Sequence, residues 1–301
     1  TIAVQIGEVV LSSEQPVLVQ SMLNTSTLDT EACVEQSIRI IEAGGQLVRI
    51  TAPGVKEAEN LKNIRDILRE RSYTVPLSAD IHFSPAAALV AARYVEKVRI
   101  NPGNFVDKRA TFQNLVYTEE EYAAELQQLK CKFTEFLDEC RRHHTAVRIG
   151  TNHGSLSDRI MSRYGNTPAG MVEATMEYLR ICQEIGFDQV VISLKSSDCQ
   201  IMVEAVRLLV KEMEKAGMKY PLHLGVTEAG EGEDGRIRSA VGIGCLLNEG
   251  IGDTIRVSLT EAPEQEIPVA RTLIGLCRPM YQPDRLYATG RSTKPVIVAD
   301  I

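Results

Sequence analysis

Apolar residues recur along this chain in two alternating periods. Residues 2–11 alternate Ile and Val with polar positions around Gly7 and predict a short hairpin. From residue 16 a strand-like run is followed by apolar residues at helical spacing, and the pair then repeats. Strand 16–22 leads to helix 30–43, with Val34, Ile38 and Ile41 on one face. Strand 46–51 leads to helix 57–71, with Leu61, Ile64 and Leu68 in step. Strand 75–82, helix 85–94 and strand 97–101 follow. Residues 102–118, with Pro, Gly and Asn, read as an insertion ahead of a charged helix at about 119–142. Its stripe of Tyr122, Leu126, Leu129, Phe133, Phe136, Leu137 and Cys140 predicts one buried face. The cadence resumes with strands 146–152, 189–195, 221–227 and 254–260, and helices 168–185, 198–216, 236–249 and 263–276. Gly44, Gly186, Gly217 and Gly250 each stand just past a helix end, where a left-handed cap is expected.

Eight strand–helix units predict a parallel sheet closed into a (β/α)8 TIM barrel, with the short N-terminal β-hairpin before it. The alternative is a doubly wound open sheet. Polar residues close nearly every strand, which favours the barrel, because an open sheet gathers its site near one switch point. Residues 1–276 are expected to form the barrel, with 1–15 as the hairpin segment. Residues 277–301 break the cadence and end in a strand-like run, 295–301. They are expected to be a tail leading to domains absent from this chain, a piece of a longer protein.

Composition narrows the class. A net charge of −7 over 301 residues argues against a nucleic-acid surface, so positive charge must be local. No run approaches a membrane span, and the start has no secretory pattern. Seven scattered cysteines without a Cys-x-x-Cys pair predict reduced thiols in a cytoplasmic protein and no metal site.

The chemistry lies at the strand ends. In Arg148-Ile-Gly-Thr-Asn-His153, Arg148, Gly150 and Asn152 share one face, because successive strand residues point oppositely. Arg49, Arg99 and Arg256 stand in similar runs. Asp80 with His82, Arg99 with Asn101, Ser193 with Lys195, and Arg256 with Ser258 are i, i+2 pairs, and Thr227-Glu228 ends the seventh strand. One arginine alone reads as a salt bridge or a strand-end side chain reaching water. Four arginines and Lys195 around one cavity, against Asp80 and Glu228, read differently. Burying such an excess costs several kcal/mol per ion unless a ligand offsets it, and a ligand with roughly two phosphates would. Glu228 is the candidate for proton transfer. Lys195 suits either a phosphate contact or a Schiff base. His82 equally fits a strand-end histidine bonding a backbone carbonyl. Gly242-Ile-Gly244 could present amides to phosphate or allow close packing, and the acidic loop 230–235 reads as solvated, with glycines that would let it move.

Val19-Gln-Ser-Met22, Ala79-Asp-Ile-His-Phe83, Val98-Arg-Ile-Asn-Pro-Gly-Asn104, Arg148-Ile-Gly-Thr-Asn-His-Gly-Ser155, Ser193-Leu-Lys-Ser196, His223-Leu-Gly-Val-Thr-Glu-Ala-Gly230 and Gly250-Ile-Gly-Asp-Thr-Ile-Arg-Val-Ser258 together resemble the 4-hydroxy-3-methylbut-2-enyl diphosphate synthase family, in its insertion-bearing form. The resemblance runs from about residue 16 to 276. It implies a TIM barrel that binds 2-C-methyl-D-erythritol 2,4-cyclodiphosphate, which the family opens reductively in non-mevalonate isoprenoid biosynthesis. It implies that Arg49, Arg99, Arg148, Asn152, Lys195, Arg256 and Ser258 hold the diphosphate, and that Glu228 handles a proton. Asp80, His82, Asn101, His153, Ser193 and Thr227 join them as substrate-facing strand-end residues. The family transfers electrons from ferredoxin or flavodoxin through a [4Fe-4S] cluster held by three cysteines and a glutamate in a C-terminal domain. Those ligands have no counterpart here, and Cys277 stands alone. The chain is therefore expected to bind no cluster and to be inactive by itself; a homodimer is left open. Two other readings stand beside this one, a class I aldolase-like barrel using Lys195 and a non-catalytic anion-binding module.

Overall fold

Alternation along the strands sorts side chains between two cores, and that sorting gives the molecule its shape. A computed structural model describes residues 1–107 and 116–277. The middle of the expected insertion, and the tail with its run at 295–301, lie outside the described residues. A hairpin of β1 (Val4–Ile6) and β2 (Val9–Leu11) opens the chain. Eight parallel strands follow: β3 (Leu18–Met22), β4 (Leu47–Thr51), β5 (Leu77–Asp80), β6 (Lys97–Ile100), β7 (Ala146–Asn152), β8 (Val190–Lys195), β9 (His223–Leu224) and β10 (Thr254–Ile255). Their order is β8-β7-β6-β5-β4-β3-β10-β9, and a parallel bridge between Ile192 and Leu222 joins the two ends of the sheet. The expected TIM barrel with its hairpin is the observed fold.

The helices are α1 (Thr30–Glu42), α2 (Val55–Glu70), α3 (Pro85–Ala91), α4 (Glu119–His143), α5 (Asp158–Tyr164), α6 (Pro168–Glu184), α7 (Cys199–Lys215), α8 (Gly232–Ser239), α9 (Cys245–Asn248) and α10 (Glu266–Cys277). Their apolar stripes pack on the outward strand residues, such as Val48, Ile50, Val98, Ile100, Val147 and Ile149, in the larger core. The α4 start is fixed by a capping box, in which Thr118 accepts from the Glu121 amide and Glu121 reaches back. The four glycines expected as left-handed caps have φ between 63° and 99°. No described helix is long and apolar enough to cross a membrane.

The inward residues at the base of the barrel, Leu18, Leu47, Ala146 and Val191, form a second core with Val4, Ile6 and Leu11 of the hairpin. Those three hairpin side chains are fully buried. At about 1.5–3 kcal/mol per side chain, their burial is large enough to make the hairpin the floor of the barrel rather than an appendage. The open end is therefore the opposite one, where the strands finish.

Four elements depart most from expectation. Helix α5 lies in the stretch between β7 and α6; Ser157 caps it and Gly165 stops it, but a helix this short shows no apolar period. The expected helix 236–249 begins earlier, at Gly232, and contains a π-helical turn, Ala240–Gly244. The acidic loop is thus largely the first turn of α8, with Gly235 packed against the Gly230 carbonyl and Leu259. The paired glycines lie inside that helix, and a Cβ on Gly242 would come within 2.6 Å of Val226. Close packing, not amide presentation, is their role. Finally, β9 and β10 are shorter than predicted, at two residues each, and Lys195 packs against Gly225 just past the end of β9. A Cβ on Gly225 would lie 2.8 Å from both the Lys195 Nζ and the Arg256 carbonyl oxygen.

Candidate functional site

Above the apolar floor the same inward parity delivers charge. Lys97 pairs across the sheet with Ala146, Arg99 with Arg148, Gly150 with Ser193, and Asn152 with Lys195. Arg49 pairs with Ser78 and with Met22, and Asp80 with Arg99. Residues that share a register share a face, so these side chains line one interior. Relative exposures are 0% for Lys97, 1% for Arg148, 3% for Arg99, 7% for Lys195 and 8% for Arg49. Few proteins bury so many cations around so little negative charge.

Asp80 anchors three of the groups. Arg99 donates through Nη1 to Asp80 at 3.0 Å, Arg49 Nε stands 3.4 Å from its other oxygen, and His82 Nε2 lies 3.3 Å away. Arg99 also donates to the Gly150 carbonyl at 2.6 Å. A Cβ on Gly150 would meet the Arg99 Nε at 2.5 Å and Ser193 Oγ at 3.1 Å, so glycine there makes room for the guanidinium. Arg256 is gripped by Glu266 through Nε and Nη2, and Glu266 also accepts from the Ser21 hydroxyl and the Leu259 amide. Met22 Sδ lies against Arg49 and Arg256. Lys97 donates to Gln20 at 2.9 Å. Arg148 goes furthest: its buried Nε and Nη1 both lack a hydrogen-bond partner, whereas Arg99 lacks one only at Nε.

The inventory changes in two places. Lys97 adds a sixth inward cation, and Glu266, carried by a helix, is the second inward carboxylate. Glu228 is not: it is exposed, just past β9, with φ of 52°. Lys97 is available from strand parity, being two residues before Arg99, but it opens its strand rather than closing it. Glu266 carries no strand signal at all.

Burial and like charge act together here. Burial lowers the Lys195 ammonium well below the usual lysine range, and Arg49, Arg148, Arg256 and Arg99 lower it further. Burial, then Arg148 and Arg49, do the same to Lys97. Burial pushes Arg148 downward, with Arg49 and Arg99 adding to the fall, and brings Arg49 down to about 10. Burial lowers the His223 imidazole well below its usual range, and Lys195 and Arg148 lower it further. Burial raises Asp80, but Arg49 and Arg99 outweigh it and hold the carboxyl well below its ordinary value.

The remaining strand-end residues fall into two groups. Ser193 and Asn152 keep the inward parity, and Ser258 and Thr227 are half-buried at the mouth, the Thr227 hydroxyl without a partner. Asn101 spends its amide on Ser155 Oγ and the Gly103 amide, shaping its loop. His153 has the opposite parity to Asn152, and its Nε2 lies 3.2 Å from the Asn166 carbonyl oxygen. It is turned toward that loop.

Cluster chemistry does not fit the described residues. No three of their His, Cys, Asp and Glu side chains come together as a metal site. A cluster needs thiolates, yet burial pushes the Cys33, Cys140, Cys182, Cys199, Cys245 and Cys277 thiols upward.

Comparison with known proteins bears on the fold and the family. Solved structures of similar shape include a Yersinia pestis dihydropteroate synthase (TM-score 0.59, 11% identity, covering 92% of this chain and 98% of that one). A truncated 3-deoxy-D-arabino-heptulosonate 7-phosphate synthase from Thermotoga maritima gives TM-score 0.54 at 11% identity, covering 93% and 91%. At such identities the likeness is one of fold. In sequence, the chain is 64% identical over 271 residues to a Phocaeicola vulgatus 4-hydroxy-3-methylbut-2-en-1-yl diphosphate synthase (flavodoxin), covering 90% of this chain and 44% of the relative. A Bacteroides fragilis protein of the same name is 61% identical over 297 residues, covering 99% and 46%. The chloroplastic, ferredoxin-type synthase of Arabidopsis thaliana is 52% identical over 276 residues, covering 92% and 37%. The chain thus spans less than half the length of the curated relatives it matches. A family model, the GcpE TIM-barrel domain, matches residues 1–271, and the chain belongs to that family.

Proposed function

We propose that this barrel is the substrate-holding part of a synthase that reductively opens 2-C-methyl-D-erythritol 2,4-cyclodiphosphate to 4-hydroxy-3-methylbut-2-enyl diphosphate. The observation that carries the reading is Arg148: it is 1% exposed, lacks partners at Nε and Nη1, and sits among Arg49, Arg99, Lys195 and Arg256. A guanidinium so placed offers a fork of donors matched to phosphate oxygens. In this reading Arg148, Arg99, Arg49, Lys195 and Arg256 hold the diphosphate, with Asn152, Ser193 and Ser258 at its edges. Asp80 and Glu266 hold the arginines rather than the ligand, since a carboxylate would repel it.

Ring opening frees a diphosphate oxygen from carbon, and negative charge grows on it. Cations already in place stabilise that charge without reorganising. Glu228, at the mouth, is the proton-handling group. A residue other than glycine held at positive φ costs about 1–2 kcal/mol, and such strain clusters at working sites. The electrons come from a group outside the described residues, with flavodoxin or ferredoxin as donor, as the relatives' names state for them. A cytoplasmic setting belongs to the same reading, supported by seven free thiols.

Titration of the chain with the cyclodiphosphate tests the proposal. Saturable binding without turnover by a chemical reductant is expected; turnover in the absence of iron would overturn the division of labour. A second reading has one feature in its favour: burial and the surrounding arginines lower Lys195 well below the usual lysine range, the direction a Schiff-base lysine requires. Borohydride trapping of a carbonyl substrate on Lys195 would establish it.

A further inference from the structure

Among the described residues, six basic side chains, Arg49, Lys97, Arg99, Arg148, Lys195 and Arg256, face one interior with two carboxylates, Asp80 and Glu266. Both carboxylates are committed. Asp80 is shared by Arg49, Arg99 and His82, and Glu266 is taken by Arg256. Among the described residues no carboxylate lies within ion-pair distance of Lys195 or Lys97. Lys195 meets Arg49, Arg148, Arg256 and Arg99 across the cup, with His223 on the neighbouring strand and Lys97 deeper in the barrel. His82, at the rim, faces Asp80 and Arg99 instead. An arginine is the last of these groups to give up a proton, so crowding is relieved at the lysines and at His223, whose charged forms burial and neighbours disfavour.

We propose that an anion entering the cup draws protons in with it, and that Lys195 is the principal acceptor. The inference rests on the reading of the cup as an anion site. The ligand's negative charge reverses the local balance, and the Lys195 amine takes a proton from water or buffer. One N–H bond forms and no electrons change owner. Lys97, sealed beneath and bonded to Gln20, answers less because it lies farther from the mouth. The sign is fixed. Where the empty cup's Lys195 is already charged, at low pH, uptake vanishes. Above that pH, binding weakens by about tenfold per pH unit until the bound lysine also loses its proton.

Sulfate is a suitable probe, because it does not titrate near neutral pH. The 1–301 chain, weakly buffered with an indicator dye at a series of pH values from about 7 to 10, is titrated with sodium sulfate against sodium chloride of equal ionic strength. Binding is followed in parallel by thermal shift. The expected result is a saturable alkalinisation that approaches about one proton per chain at its maximum within that series. Lys195→Arg should still bind sulfate but take up less than half as many protons, because its charge is permanent. Saturable binding with no alkalinisation in the wild-type chain overturns the coupling and leaves the anion site standing. Absence of saturable sulfate binding overturns both, and undiminished uptake in Lys195→Arg overturns the assignment to Lys195.

Discussion

Replacing Arg148 by methionine is expected to make the empty domain more stable, the reverse of the usual result for a buried side chain. Arg148 is 1% exposed and leaves Nε and Nη1 without partners. Each unsatisfied buried donor costs about 1–3 kcal/mol, so the pair costs about 2–6. Repulsion from Arg49 and Arg99 adds to this, and attraction to Asp80 offsets part of it. Methionine keeps the unbranched stem and fills irregular space well. Allowing for the lost Asp80 attraction and looser packing, a net gain of about 1–3 kcal/mol remains. Urea unfolding measures it directly. With inorganic pyrophosphate at one thousand times Kd the order should invert, because a ligand then stabilises its binder by about 4.1 kcal/mol, more than the variant's advantage, and the variant has lost its binding fork. A variant that is destabilised without ligand by more than about 1 kcal/mol would refute the reasoning, since it would show Arg148 to be a satisfied structural residue.

Further outcomes follow from the same contacts. Gly150→Ala should push Arg99 off the Gly150 carbonyl and Asp80, costing about 1–3 kcal/mol by overpacking and weakening pyrophosphate binding; wild-type behaviour in both would show that Arg99 can yield. Arg159, buried between Asp107 at 2.7 Å and Glu177 at 2.5 Å, ties the loop after β6 to α5 and α6. Arg159→Leu removes the cation from both carboxylates and leaves Glu177 the Tyr122 hydroxyl, so a loss of about 3–5 kcal/mol is expected in urea unfolding, and a loss below about 1 would show the pair to be dispensable. His223 has a depressed folded pKa, so the unfolded chain binds its proton first. Stability should fall as pH drops below about 6.5, and His223→Asn should flatten that slope; an unchanged slope would assign it to other groups. Arg148→Ala should weaken cyclodiphosphate binding at least tenfold, about 1.4 kcal/mol, whereas Glu228→Gln should leave affinity near the wild-type value. Equal losses would contradict the separate roles.

The barrel is legible in the chain because each strand–helix pair repeats one apolar signal, and its glycine caps mark where helices stop. The cup is legible because strand parity is a rigid rule. Arg49, Arg99, Arg148 and Lys195 cluster at strand ends on the same face, and the register puts them in one interior. Parity at strand ends does not reach Lys97, which opens its strand, or Glu266, which belongs to a helix. Nor does it fix rotation beyond the ladder. Glu228 reads as a cavity carboxylate only if the strand continues through residue 227, and the ladder stops at Leu224. Helix α5 is too short to show periodicity, and the network that holds it, Arg159 with Asp107 and Glu177, joins segments far apart in sequence.

The most direct measurement is a crystal structure of the chain with the cyclodiphosphate bound, read at Arg148. Phosphate oxygens should lie within hydrogen-bond distance of the Arg148 Nε or Nη1 and of the Lys195 Nζ, with Asp80 and Glu266 still on their arginines. A ligand bound elsewhere, or one in the barrel mouth that leaves Arg148 untouched, would contradict the assignment of this cup as the diphosphate site.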